Sequence, residues 1–447
     1  MRLGDSLSVW LILPFVGLLL CIAVLPLAAP VWFERLRNKA LVAAAFGVPV
    51  VVYLVVAQGV LGREKVLATA EDYFSFIILL TALFTISGGI YLTGDPLGTP
   101  RNNLAFLAVG ALLANLVGTT GAAMLLVRPM LRANSERTHT RHVFVFLIFI
   151  VCNIGGALTP LGDPPLFLGF LQGVSFFWTL RLIPQWLVAG GLTLLVFWLV
   201  DSYYYRKEPL SALVADETEY VPLRLLGKVN FLFLGGVLLA VLASGPLARA
   251  GHAVHLPLLS EAVMVAMIAL SLRFGPSQPR RLNRFSWGPI GEVAIVFAGI
   301  FAAMVPALAI LEARGDEVGL STPWQYFWAS GLLSSFLDNA PTYLTFTSMA
   351  QGLLGVHSTA GLMNPQVAPV VGYAPAIGYA PAAFLAAVSC GAVFMGANSY
   401  IGNAPNFMVK SIAEEHGVDM PHFFHYMAWS AVVLLPIFAV VTVLFFL

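Results

Sequence analysis

Apolar residues fall in ten blocks along the chain, near 7–29, 40–57, 72–93, 143–177, 184–201, 229–248, 257–274, 288–312, 382–412 and 424–447. A bilayer core takes about 20 consecutive apolar residues at helical rise, so each block predicts a membrane helix. Two further stretches, about 104–131 and 324–350, are apolar at both ends and polar in the middle. The middles read N-L-V-G-T-T-G (115–121) and S-F-L-D-N-A-P (335–341). Each half is then about 12 residues, or roughly 18 Å of helix, too short to cross. The pattern predicts two re-entrant helical hairpins, the first opening to the cytoplasm and the second to the outside. The first block reads as a helix rather than a removable signal. It is longer than a signal core of roughly 7–15 residues, and its basic residues (Arg35, Arg37, Lys39) follow it.

Two of the ten blocks are broken. One carries G-A-L-T-P-L-G-D-P-P-L-F (156–167) and the other G-A-N-S-Y-I-G-N-A-P-N-F (396–407). At a spacing of 240, Gly156, Ala157, Gly162, Pro165 and Phe167 recur as Gly396, Ala397, Gly402, Pro405 and Phe407, while Asp163 becomes Asn403. At a spacing of 220, Leu112-Leu113 falls on Leu332-Leu333, Asn115 on Ser335, Thr119 on Asn339 and Asp72 on Glu292. Each half therefore holds three helices, a hairpin, a broken helix and a last helix. Residues 1–201 form the first repeat, 202–228 a cytoplasmic linker, and 229–447 the second repeat. An odd number of crossings turns the second repeat upside-down, the layout of secondary transporters that bind substrate where broken helices meet. The fold class expected is an all-α polytopic membrane protein: about 10 transmembrane helices plus two hairpins in inverted repeats.

The prolines remove backbone donors and stop the helix. The freed N–H and C=O groups cannot stay bare in lipid, where each would cost several kcal/mol. They must line an enclosed site, with half-helix C-termini offering carbonyls to a cation and N-termini offering N–H groups to an anion.

Composition narrows the class. The chain has 447 residues, is 59% hydrophobic and 10% charged, and carries a net charge of +1. That excludes a nucleic-acid-binding surface and points to an integral membrane protein, expected in a bacterial inner membrane. No phosphate-binding loop and no H-E-x-x-H zinc motif occurs, so neither an ATP-driven engine nor a zinc hydrolase is expected, and the chain is read as no enzyme. Cys21, Cys152 and Cys390 all sit in apolar segments without ligand spacing. Lys and Arg cluster at 35–39, 132–141, 206–228 and 280–284; the positive-inside rule places these in the cytoplasm and both termini outside.

Few charges fall at membrane depth. Asp163 lies in the first break and Asp338 at the second hairpin tip. An intramembrane carboxylate is costly and reads as functional. It can hold a proton or a metal ion, but not both comfortably, which is the minimal chemistry of proton-coupled cation exchange. The remaining candidates at the hairpin tips and breaks are Asn115, Thr119, Thr120, Asn339 and Thr342, with Asn153, Thr159, Asn398, Ser399, Asn403 and Asn406. Glu261 and Glu292 sit nearer helix starts and read as caps or interhelix pairs. Arg128 and Lys410 read as interfacial anchors. His252/His255 and His422/His425 show i, i+3 spacing without a third ligand, and His416 or His425 is a candidate pH sensor.

The hairpins and broken helices resemble the ion transporter superfamily across essentially the whole chain. N-I-G-G-A-L-T-P-L-G-D-P-P (153–165) is similar to the first broken-helix signature of NhaD-type sodium/proton antiporters. L-D-N-A-P-T (337–342) resembles their Asp-Asn hairpin signature, and 396–407 the matching second break. The nearest branch is the one labelled putative citrate transporter or sodium:proton antiporter. The resemblance implies a homodimer in the lipid bilayer, each protomer with a scaffold and a mobile part moving like an elevator. No cofactor is expected; sodium (or lithium) and protons are the expected transported ions, with Asp163 and Asp338 as proton-coupling groups and sodium ligands. Coupled transport of citrate or a related carboxylate, and arsenite-type efflux, stay open as alternatives.

Overall fold

The computed structural model describes residues 3–218, 220–249, 258–363 and 378–447. The protein is all-α apart from one short ribbon. The longer helices are α1 (Leu13–Ala28), α2 (Leu36–Ala57), α3 (Gly59–Ser87), α4 (Pro100–Ala133), α5 (Arg141–Ile150), α6 (Pro164–Leu171) and α7 (Ile183–Tyr205) in the first half. The second half holds α8 (Val229–Arg249), α9 (Leu259–Phe274), α10 (Gly288–Arg314), α11 (Pro323–Ser334), α12 (Asn339–Leu354), α13 (Pro381–Phe394), α14 (Ala404–Glu415) and α15 (Phe423–Phe445). Among the described residues, nine helical stretches are long and apolar enough to cross a membrane. With such helices, the chain is an integral membrane protein.

One of those nine, α4, is a hairpin. The Asn103 and Asn134 side-chain amides exchange two hydrogen bonds of 2.9 Å. In a straight helix, residues so far apart in sequence would be separated by about 46 Å. The chain reverses at Gly118, whose φ of 78° and ψ of 156° only glycine adopts without strain. The α11–α12 pair folds back likewise, bringing the Tyr326 and Phe346 rings to 6.2 Å. Helix starts are prepared locally. Pro100 and Pro323 open α4 and α11, the Thr99 hydroxyl accepts from Asn102 N–H, and the Gln325 side chain accepts from Thr322 N–H.

Three features depart from the apolar pattern. The third block begins earlier and ends earlier as a helix, and Tyr91–Asp95 leaves it as strand β1. The segment expected as a linker is structured: it holds the helix Leu210–Thr218 and strand β2 (Val221–Leu226), antiparallel to β1 with Thr93 opposite Arg224. Arg132 clamps this ribbon to the first hairpin by donating to the Gly94 and Leu92 carbonyls (2.8 and 2.7 Å) and the Tyr91 hydroxyl (2.9 Å). The Asp216 carboxylate on the intervening helix accepts from Gly98 N–H, tying the same segment to the hairpin base.

The broken helices run through the centre of the molecule. Every residue from Val143 to Cys152 is buried, as is every residue from Leu385 to Tyr400 except Ala386. The outer helices α1, α2, α3 and α7 instead expose large apolar side chains such as Leu20, Val52, Leu67 and Leu195, as lipid-facing helices do. The carboxylates near helix starts have partners on neighbouring helices: Glu292 pairs with Lys39, and the Glu261 carboxylate accepts from the Ser75 hydroxyl at 2.6 Å. Both are interhelix contacts.

Candidate functional site

The two breaks share their backbone where each second half-helix begins. Asp163 precedes α6 with φ −139° and ψ 142°, and Asn403 precedes α14 with φ −148° and ψ 138°. Thr159 and Ser399, four residues earlier, are both extended (φ −141° in each). In both copies the second glycine lies against the first. A Cβ on Gly162 would meet the Gly156 carbonyl oxygen at 2.1 Å, and one on Gly402 the Gly396 oxygen at 2.7 Å.

Each hairpin tip is sewn to its break by the same stitches. In the first half the Thr159 hydroxyl donates to the Asn115 carbonyl (2.5 Å), and the Asn115 side chain donates to the Gly155 carbonyl (2.7 Å). In the second half the Ser399 hydroxyl donates to the Ser335 carbonyl, and the Ser335 hydroxyl donates to the Met395 carbonyl (3.2 Å). These partners sit at the same spacings that relate the two sequence motifs. Ser335 was aligned with Asn115 in the sequence but not counted among the candidates; the alignment itself was the signal.

Four of the freed backbone carbonyls are capped by asparagine side chains. Asn153 Nδ2 donates to the Ile148 carbonyl (2.8 Å) and to Asn406 Oδ1 (2.8 Å), and Asn406 Nδ2 donates to the Gly396 and Ser399 carbonyls (2.8 Å each). Asn403 Nδ2 donates to the Cys152 carbonyl at 3.0 Å. Asn153 and Asn406 thus cap carbonyls of their own breaks and bond to each other, while Asn403 caps a carbonyl of the opposite break, which makes a buried interruption tolerable.

At the crossing lies Asp163, 1% exposed. Its carboxylate accepts from the Thr119 hydroxyl (3.0 Å), from Asn403 Nδ2 (3.2 Å) and from Asn339 Nδ2. One donor comes from each hairpin and one from the opposite break. The Thr119 N–H also donates to the Gly162 carbonyl at 2.9 Å, fixing the first tip against the first break. Asp338 precedes α12, accepts from Ala340 N–H at 2.9 Å, and lies within electrostatic reach of Asp163. Thr342 donates to the Asp338 carbonyl (3.0 Å). Asn398 donates to the Ser335 hydroxyl (2.9 Å) and so belongs to the second stitch. Thr120 is half-buried beside Thr119 and has no side-chain hydrogen bond to the cluster.

Two properties set the chemistry. First, no lysine or arginine among the described residues hydrogen-bonds to any of these groups, while the buried amide oxygens of Asn339 and Asn398 have no donor. Turning the Asn339 amide over would aim its oxygen at the Asp163 carboxylate, so the free oxygen is fixed by its neighbour. Second, the α6 N-terminus is closed to anions. Pro164 and Pro165 have no N–H, and Leu166 N–H is already bonded to the Asp163 carbonyl at 3.1 Å. In α14 the same holds for Pro405 and for Asn406 N–H, bonded to the Asn403 carbonyl at 3.0 Å. Oxygen acceptors without cationic donors suit a hard cation or a proton. At α6 the expectation that a half-helix N-terminus would present N–H groups to an anion is corrected by these prolines; α14 differs in opening with Ala404, which has an N–H.

Other candidates lie elsewhere. His422 and His425 pack ring to ring at 5.7 Å, His416 Nδ1 bonds to the Ile412 carbonyl at 2.8 Å, and His252/His255 fall outside the described residues. Lys410 pairs with Glu414 at 2.7 Å. Arg128 is not at a lipid-facing position; it is buried at the wall of a cavity near the base of the first hairpin.

No curated protein matches the chain. A family model described as "Putative citrate transport" matches residues 4–446. The chain, a non-enzymatic secondary transporter, belongs to that family.

Proposed function

We propose that the protein exchanges sodium or lithium for protons, with Asp163 as the coupling carboxylate. The observation that carries this reading is the buried Asp163 carboxylate, held by three neutral donors beside the donor-free Asn339 oxygen, with no cationic side chain among the described residues bonded to the cluster. A cation entering there gains a carboxylate and amide oxygens, and the same carboxylate takes a proton when the cation leaves. Asp338 supplies the second charge, so two protons per cation is the natural upper limit. The hairpins and broken helices form the mobile part and move like an elevator against α2, α3 and α10, in a homodimer of the bacterial inner membrane with basic loops in the cytoplasm.

The family description favours a second reading: citrate or a related carboxylate crosses with the cation, and Asp163 holds the coupling ion. Everted vesicles holding a respiration-driven pH gradient separate the two. Sodium or lithium alone dissipates the gradient in the first reading; citrate is also required in the second. Asp163→Asn is inactive in both. Full activity of that variant at normal expression removes Asp163 from the mechanism.

A further inference from the structure

A cavity of about 920 Å³ lies away from Asp163, which is not among its lining residues. It opens at the base of the first hairpin, between the chain before α5, the loop at 282–284 and the segment joining α14 to α15. Its size is that of a small-molecule site. Its walls carry five arginines (Arg128, Arg132, Arg137, Arg141 and Arg284) against one carboxylate, Asp419.

Three of these arginines are neutralised. Arg137 pairs with Asp201 at 2.6 Å, Arg284 with Glu415 at 3.0 Å, and Arg141 with Asp419. The other two have no carboxylate partner among the described residues. Arg132 spends three donors on neutral oxygens of the ribbon, and a guanidinium has five. Arg128 is 9% exposed, has no hydrogen bond or ion pair among the described residues, and its Nη1 is buried there without a partner. Glu415, whose charge reaches Arg128, is already bonded to Arg284. A basic loop that merely orients the chain in a membrane has no need of a buried, unpaired guanidinium, which is among the costlier groups to bury. A group of this kind calls for an anion.

We propose that this cavity is a second ligand site, for a small carboxylate with several charges, and that Arg128 is its anchor. The planar fork of a guanidinium matches a carboxylate in two parallel hydrogen bonds. A second uncompensated arginine on the same wall suits an anion with more than one carboxylate. Arg128 and Thr119 share one helical arm, nine residues apart, or about 14 Å. The anion therefore occupies a place distinct from the Asp163 cluster, on the path that the hairpin base leaves open. The geometry sets the place of the site; the identity of the anion rests on the citrate reading.

Calorimetric titration of citrate into the purified full-length protein tests this without any ion gradient, so its outcome is independent of whether sodium–proton exchange occurs. Saturable binding is expected, weakened roughly tenfold or more in Arg128→Gln and less in Arg128→Lys. Ser135→Glu, a change at an exposed rim residue that adds a negative charge, also weakens it, and this variant serves if Arg128→Gln fails to fold. Asp163→Asn keeps citrate binding. No binding to the wild type, or equal binding by Arg128→Gln or Ser135→Glu, overturns the site. Loss of binding in Asp163→Asn places the anion at the ion cluster and overturns it too. Inorganic phosphate, or phosphatidylglycerol in nanodiscs, displacing citrate at equal concentration overturns the carboxylate identity.

Discussion

The two hairpins follow one plan and divide the chemistry differently. The first has a neutral tip, where Gly118 turns the chain and Thr119 touches Asp163, and a charged base, where Arg137, Asp201, His142 and Asn103 interlock. The second has an acidic tip, Asp338–Asn339, and an uncharged base, where Gln351, Thr359 and Gln172 bond in a chain. Position 118 corresponds to 338, yet the backbones differ: φ is 78° at Gly118 and −54° at Asp338. The breaks divide their roles in the same way, since Asn403 donates to the carboxylate that stands at its own equivalent position. Duplication has kept the interruptions and their stitches, while each half has kept one carboxylate.

Exchanging the break residues strikes at this asymmetry hardest. In Asp163→Asn/Asn403→Asp, the new carboxylate faces the Cys152 carbonyl and Asn153 Oδ1, which now accept from Asn403 at 3.0 and 3.3 Å. Sodium-dependent proton flux should be lost in each single variant and in the double. Recovery of half the wild-type flux in the double variant would show the two positions to be interchangeable.

The charged base comes next. Arg137 and Asp201 are both almost fully buried, and Arg137→Gln removes the arginine partner of the Asp201 carboxylate, leaving it the bonds from His142 and Asn103. The expected loss is about 3–5 kcal/mol, seen as a lower thermal midpoint in detergent. A shift no larger than that of a surface variant would mean the base is not a clamp. At the tip, Gly118→Ala should cost about 1–3 kcal/mol through the backbone alone, because the nearest neighbour of a new Cβ, the Leu161 carbonyl oxygen, stands at an ordinary 3.4 Å. Asp338→Asn, at an ordinary φ and still able to cap α12, should lack that backbone penalty, and equal destabilisation would contradict the comparison.

The smallest effect concerns Glu208, beside the charged base. Burial pushes its carboxyl up, but the N–H groups of Thr138 and His139 (2.8 and 2.9 Å) and the charge of Arg137 outweigh this and hold it below its ordinary 4.5. A lowered carboxyl stabilises the fold above the unfolded-state value and loses that contribution as pH falls through the folded-state value. The midpoint gap between wild type and Glu208→Gln should therefore be present at pH 7 and shrink below about pH 4.5. A gap that widens on acidification would reverse the sign of the argument.

Much of the plan was legible because interruptions in apolar helices are costly and so stand out in the sequence. The proline- and glycine-rich breaks, the polar hairpin middles and their spacing marked the tips, the breaks and the pairing of Asp163 with Asn403. What was not legible depends on packing between distant segments. Arg128 reads as an interfacial anchor because its place in the chain is near a helix end; only the return of 282–284 and 416–429 around it makes a cavity wall. The ribbon joining Tyr91–Asp95 to Val221–Leu226 has no short-range signal, since its strands are far apart in sequence. The bond from Asn403 to Asp163 follows from two breaks crossing face to face, which the alignment of equivalent positions does not by itself reveal.

The account turns on one carboxylate, and binding of radioactive sodium to the purified protein across pH tests it most directly. The wild type should bind sodium in competition with protons, more tightly as pH rises, and Asp163→Asn should bind none above background while keeping its fold. Equal sodium binding by Asp163→Asn, or binding that does not change with pH, would contradict the claim that Asp163 holds the cation and the proton in turn.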